Sequence, residues 1–190
     1  ENDPISFNPF IISGALDVEK KESIKTLLQA LWKKDDESVS QSEYVSLSTA
    51  VSLYYVMLDA NPAVKPSFNS FYEFVKGPFR KVLEEDKVRE KDFDIDNFIY
   101  VLKPYYRGGE YDYLLNSDKE LDLVNAPFIV FELDNIKDHP ILFPVVTLII
   151  METFISKMRK LKGIRKMILI EEAWKALTTP GMAAYIKYRF

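Results

Sequence analysis

Between about residues 17 and 104 the apolar side chains recur at helical spacing, and on either side of that stretch they do not. This change of period limits the fold more than any other feature of the chain. Ile24, Leu27, Leu28 and Leu31 stand at i, i+3, i+4 and i+7, with lysines and glutamates between them. Ser40 and Glu43 have the spacing of a capping box ahead of a second helix, whose apolar face is Tyr44, Leu47, Val51, Tyr54 and Leu58. The run NPAVKP ends it. Ser67 predicts the start of a short third helix through Phe68, Phe71, Phe74 and Val75, interrupted at Gly77 and Pro78 and resumed through Val82 and Leu83. Asp94 predicts a last helix carrying Phe98, Ile99 and Leu102 as far as Pro104. Residues 17–104 therefore read as an all-α block of four or five helices.

The flanks read differently. PISFNPFII has strand-like composition, broken by Pro9, and GGEYDYLLN alternates as a strand or hairpin would. PFIVFEL, from Pro127 to Leu133, is rich in β-branched and aromatic residues. Asp138, with Pro140 in the first turn, predicts a long helix to about Leu161, with Gly163 at its end. RKMILI follows as a further strand. Strand, long helix and strand make a βαβ unit with parallel strands and a right-handed crossover. The expected fold class is α/β, with an all-α block inserted. The expected division is 1–16 as a strand segment, 17–104 as a helical insertion domain and 105–190 as the remainder of the α/β core.

Several functional classes are excluded early. The net charge is -4, which does not suit a general nucleic-acid binder. There is no cysteine, hence no disulfide framework and no thiolate zinc site, in keeping with a cytoplasmic chain. The longest apolar stretch, PILFPVVTLIIMETFI, is short for a membrane span and contains two prolines and Glu152, so it reads as a buried helix. The chain opens on Glu1 and closes on Phe190 within a helical-looking segment, as an internal fragment would.

The chemistry is concentrated in KMILIEEAWKAL, Lys166 to Leu177, where four apolar residues give way to Glu171 and Glu172. Paired carboxylates at the carboxyl end of a buried strand can serve phosphate chemistry. One holds Mg²⁺ through a water and the next orients the attacking water. The plainer alternative is that both acids open a helix, EEAWKAL, and stabilise its N-terminus by roughly 0.3–1 kcal/mol. Elsewhere, His139 has no HxxH or HExxH companion and reads as an exposed residue at a helix start. Glu132, Asp134 and Asp138 suit turn and capping roles. Arg107 with Gly108 and Gly109 suits a hairpin turn better than an anion site. Tyr105, Tyr106, Tyr111 and Tyr113 could stack on bases, but the acidic balance favours aromatic packing.

Taken in order, these segments resemble the TraG-type conjugative-transfer ATPases of type IV secretion. ILIEEAW resembles that family's Walker B segment, and SFNPF its Asn-Pro-Phe strand. GGEYDYLLN, FIVFELDNIKD and PGMAAYIKYRF resemble the segments that follow its helical insertion, precede its long helix, and lead to its arginine motif. The resemblance implies a partial RecA-like parallel sheet of the P-loop NTPase type. It implies Glu172 as the catalytic carboxylate that polarises water and Glu171 as the Mg²⁺-positioning acid. Glu171 departs from the family's aspartate by one methylene, which alters the reach to a metal shell. Ala173 and Trp174 match flanking packing residues. The resemblance also implies ATP and Mg²⁺ as cofactors of the parent protein, partner subunits and secretion-channel proteins as its contacts, and a peripheral place at the inner membrane. Arg189 falls just short of the arginine motif.

One family element is missing: no G-x-x-x-x-G-K-[ST] occurs, and none of the six glycines begins such a loop. Without backbone amides to cradle phosphates, neither bound ATP nor hydrolysis is expected of this chain alone. A non-enzymatic helical interaction module is the competing reading. A DNA-pumping ATPase is a third, but it should show a basic stripe that this chain lacks.

Overall fold

A computed structural model describes residues 6–12, 15–33, 37–117, 126–139, 141–167, 169 and 171, with the side chains of 152, 155, 156 and 159 excepted. The chain divides into two compact units: Glu1–Trp32 with Ser38–Glu120, and Lys33–Glu37 with Leu121–Phe190.

The first unit is helical. Its elements are α1 (Val18–Trp32), α2 (Gln41–Ala60), α3 (Phe68–Phe74), a π turn (Val75–Phe79), α4 (Arg80–Glu85), α5 (Ile95–Leu102) and a 3₁₀ turn (Lys103–Tyr105). The starts follow the capping chemistry of the sequence. Ser40 accepts from the Glu43 amide while the Glu43 carboxylate accepts from the Ser40 amide. Ser67 and Ser70 make the equivalent reciprocal pair at α3, and Asp94 accepts from the Asn97 amide at α5.

The core is aromatic. Phe10 is fully buried against Tyr54, Phe68 and Phe71, with centroids 5.9, 6.1 and 5.3 Å away. Trp32 closes the α1–α5 side by edge contacts to Phe93 and Phe98, and its indole N–H donates to Asn97 at 2.8 Å. Both arrangements are the edge-on or offset geometries that ring quadrupoles favour.

Asn8-Pro9-Phe10 is a plug in this helical core. The Asn8 amide donates to the carbonyls of Pro66 and Ser117 and accepts from the Phe10 amide. The Tyr55 hydroxyl donates to the Phe10 carbonyl at 2.7 Å. The Phe7 backbone pairs with Leu114 and Ser117 without extending into a strand.

Gly77 and Pro78 interrupt the α-helix as expected, and the interruption is a π turn rather than a gap. The π turn carries α3 into α4 without a break. Proline has no amide to donate and its ring crowds the carbonyl four residues back, so an extra residue in the turn relieves both problems. Glycine before it avoids the Cβ–ring clash that disfavours helical backbone ahead of proline.

The strand-like segments are corrected by the structure. Among the described residues there is no strand and no sheet, so a RecA-like parallel sheet, and with it the α/β class, is not supported. GGEYDYLLN folds as consecutive turns, with Tyr111, Leu114 and Leu115 buried and Tyr113 half-buried. Gly109 is required there, because a Cβ would collide with the Pro104 carbonyl. The described parts of 127–133 and 165–170 carry no ladder, and Phe128, Val130, Met167 and Leu169 are exposed. Composition marks residues that suit a pleated, covered surface, but a strand also needs a neighbour to take its backbone hydrogen bonds.

The second unit contains α6 (Leu142–Lys160), with Leu142, Val145, Val146, Ile149 and Met151 buried. Asp138 is not its cap. His139 Nδ1 accepts from the amides of Ile141 and Leu142 at 3.3 and 3.2 Å, which places the ring proton on Nε2. The helix ends before Gly163, where φ is +79°. No helix among the described residues is long and apolar enough to cross a membrane.

Candidate functional site

The segment that leaves α6 is tied back to the helix end. The Lys166 ammonium donates to the carbonyls of Leu161 and Ile164, the second at 2.9 Å. A cation there satisfies carbonyls at the negative end of the helix dipole. Beyond it Met167 and Leu169 stand exposed, and Glu171 follows in an exposed turn. The Glu171 side chain has no hydrogen bond or ion pair among the described residues. Glu172, Ala173, Trp174 and Arg189 lie outside the described residues.

Two of the acids expected in turn roles, Glu132 and Asp134, are occupied locally. Glu132 accepts from the Asp134 amide at 3.2 Å, and Asp134 pairs with Lys137 at 3.3 Å. No three Asp, Glu or His side chains come together as a metal site among the described residues. Of the two acids expected to serve Mg²⁺ and water, only Glu171 is among the described residues, as an exposed carboxylate. That donor set suits an ion held mainly by water and phosphate oxygens, and does not make a protein cage.

The tyrosine cluster is divided. Tyr105 and Tyr111 are buried, 5.5 Å apart, and burial pushes both phenols above their ordinary value. Tyr106 instead stacks on Tyr72 at 4.4 Å, and its hydroxyl donates to Glu73. The Arg107 amide donates to Asn69 at 2.9 Å, and the Gly108 amide to Asp112, completing a tight turn.

Residues 1–190 match the TraG P-loop domain. The chain belongs to that family. No curated protein and no solved structure matches it. Membership identifies a conjugation-related P-loop protein whose 190 residues contain no glycine-rich phosphate loop.

One constellation in this TraG P-loop domain member has no sequence signal. Lys25 is 1% exposed, and its ammonium pairs with Glu22 at 2.6 Å and lies 3.6 Å from the Tyr44 ring centroid. The Tyr44 hydroxyl donates back to the Glu22 carboxylate. The three side chains clasp α1 to α2. In sequence Lys25 resembles any lysine on a solvated helix face, and only the tertiary placement of Tyr44 reveals its burial.

Proposed function

We propose that this chain is part of an ATPase that powers conjugative transfer or assembly of the transfer channel, and that Glu171 and Glu172 are its Mg²⁺-positioning and water-polarising acids. The family match over the whole chain carries the reading. The exposed carboxylate of Glu171 directly after the apolar run, without a partner among the described residues, supports it. ATP binding then depends on a phosphate cradle outside these 190 residues. At five of the described helix starts, side chains of the chain itself already take amides that would otherwise face an anion. Asp17 serves α1, Ser40 α2, Ser67 α3, Asp94 α5 and His139 α6.

The test compares Glu172→Gln with wild type in the full-length protein. Hydrolysis falls by about 100-fold or more while ATP is still bound, as for loss of a general base. The 190-residue chain alone binds ATP more weakly than about 1 mM in a titration. Unchanged hydrolysis in Glu172→Gln overturns the assignment. The non-enzymatic interaction module remains the second reading. It is favoured by a first unit whose described buried polar side chains are all satisfied internally, leaving packing and surface as its means of acting.

A further inference from the structure

We propose that the face between the π turn and α5 docks a short acidic segment of another protein, through Lys76, Tyr100, Lys103 and Arg107. Two contacts fix how the walls of this face align. The Arg80 guanidinium grips Asp96 through two hydrogen bonds of 3.3 and 2.5 Å, and the Tyr72 hydroxyl donates to the Ile99 carbonyl at 3.1 Å. Lys76 lies exposed in the π turn that joins the Tyr72 and Arg80 helices, four residues in sequence from each. On the other wall, Tyr100 and Lys103 follow Asp96 at i+4 and i+7, on the side of α5 that receives Arg80. Arg107 comes immediately after Tyr106, whose ring stacks on Tyr72 at 4.4 Å.

The charge on this face is net positive. Arg80 neutralises Asp96, while the Tyr106 hydroxyl binds Glu73 but brings it no charge, so Glu73 stands against Lys76, Lys103 and Arg107. Lys76, Lys103 and Arg107 are exposed, and their side chains have no hydrogen bond or ion pair among the described residues. Tyr100, 75% exposed, adds a flat apolar surface with a hydroxyl at its tip. Three exposed cations and an exposed aromatic ring on these linked elements, in a chain of net charge -4, complement a ligand that is both anionic and apolar.

The patch is also short. Past Arg80 the helix continues into Glu84, Glu85 and Asp86, and past Arg107 the chain continues into Glu110, all of them exposed. A long polyanion running across it would meet those carboxylates, whereas a few acidic residues with one apolar anchor would not. This inference is independent of ATP hydrolysis, and neither stands or falls with the other.

The test is fluorescence anisotropy of the 190-residue chain with a fluorescein-labelled peptide, Gly-Asp-Glu-Leu-Asp-Glu-Phe-Gly, at low salt. Binding saturates below about 1 mM and weakens as salt is raised, because screening acts on the exposed cations. The Lys76→Glu/Lys103→Glu pair weakens it by about tenfold or more, and Tyr100→Ala weakens it severalfold. Lys87→Glu, an exposed cation beyond α4, leaves it unchanged, and circular dichroism confirms that each variant is folded. The proposal is overturned if the peptide does not bind, or if Lys87→Glu weakens it as much as the paired reversal. Tighter binding of a short oligothymidylate at the same salt, or peptide-independent dimerisation through this face, also overturns it.

Discussion

Lys25 shows how far a single residue's role depends on its neighbours. A buried ammonium is tolerable only because Glu22 and the Tyr44 ring replace the water it lost. Removing one partner of such a pair costs more than replacing the charge by an apolar group of similar length. Glu22→Gln is therefore expected to lower stability by roughly 1–2 kcal/mol, since it leaves the cation buried and weakens the bond to the Tyr44 hydroxyl. Lys25→Met keeps the stem's packing and is expected to stay within about 1 kcal/mol of wild type. Urea unfolding of the two variants checks the order, and Lys25→Met proving the more damaging would refute it. Asn8 and Phe10 make a related point. The sequence marks Asn-Pro-Phe as a motif, but its work in the described fold is to stitch three segments and fill the aromatic core.

At the scale of elements, the helices of residues 17–104 were legible because their information is local. The spacing of Ile24 to Leu31 and the caps at Ser40, Ser67 and Asp94 each act within one or two turns. The interruption at Gly77-Pro78 was legible, but its form as a continuous π turn was not. A proline reads as a break unless the partner faces of both halves are known, and burial of Phe74, Val75 and Phe79 holds them continuous here. Coupling between the two residues follows from this geometry. A Cβ at Gly77 meets nothing but its chain neighbours, so the obstacle to alanine there is the Pro78 ring. Gly77→Ala alone is expected to destabilise, whereas in a Pro78→Ala background it is expected to gain up to about 1 kcal/mol from helix propensity. A double-mutant cycle by thermal unfolding measures the non-additive part, and additive effects would rule out the ring clash. The segments 127–133 and 165–170 failed for the opposite reason. Their composition is local, but pairing is not, and no ladder forms among the described residues. The candidate acids are a separate case: EEAW could be read directly, but of its residues only Glu171 is among the described ones.

The whole molecule joins a modestly acidic surface to a first unit whose interior is unusually phenolic. Tyr54, Tyr55 and Tyr105 are each at most 6% exposed, and burial raises all three phenols above their ordinary value near 10. In the native state they keep their protons past that value; in the unfolded chain they lose them near it. Above about pH 10 the unfolded state thus binds fewer protons than the native state, and stability falls as pH rises. Below that value the contribution is fully present and the curve is flat with respect to these groups. Each tyrosine adds a slope of about 1.4 kcal/mol per pH unit until its native pKa is reached, so the three together act steeply. The phenolate absorbance of these three should consequently rise cooperatively, together with the loss of helical circular dichroism. Tyr55→Phe removes one of the three titrating groups, along with its hydrogen bond to the Phe10 carbonyl. It should lower stability at neutral pH by about 1 kcal/mol and make the alkaline decline shallower by about 1.4 kcal/mol per pH unit. If the phenolate signal reaches its full amplitude while the helices remain intact, the buried phenols do not couple to unfolding. The aromatic core would then have to admit charge without opening.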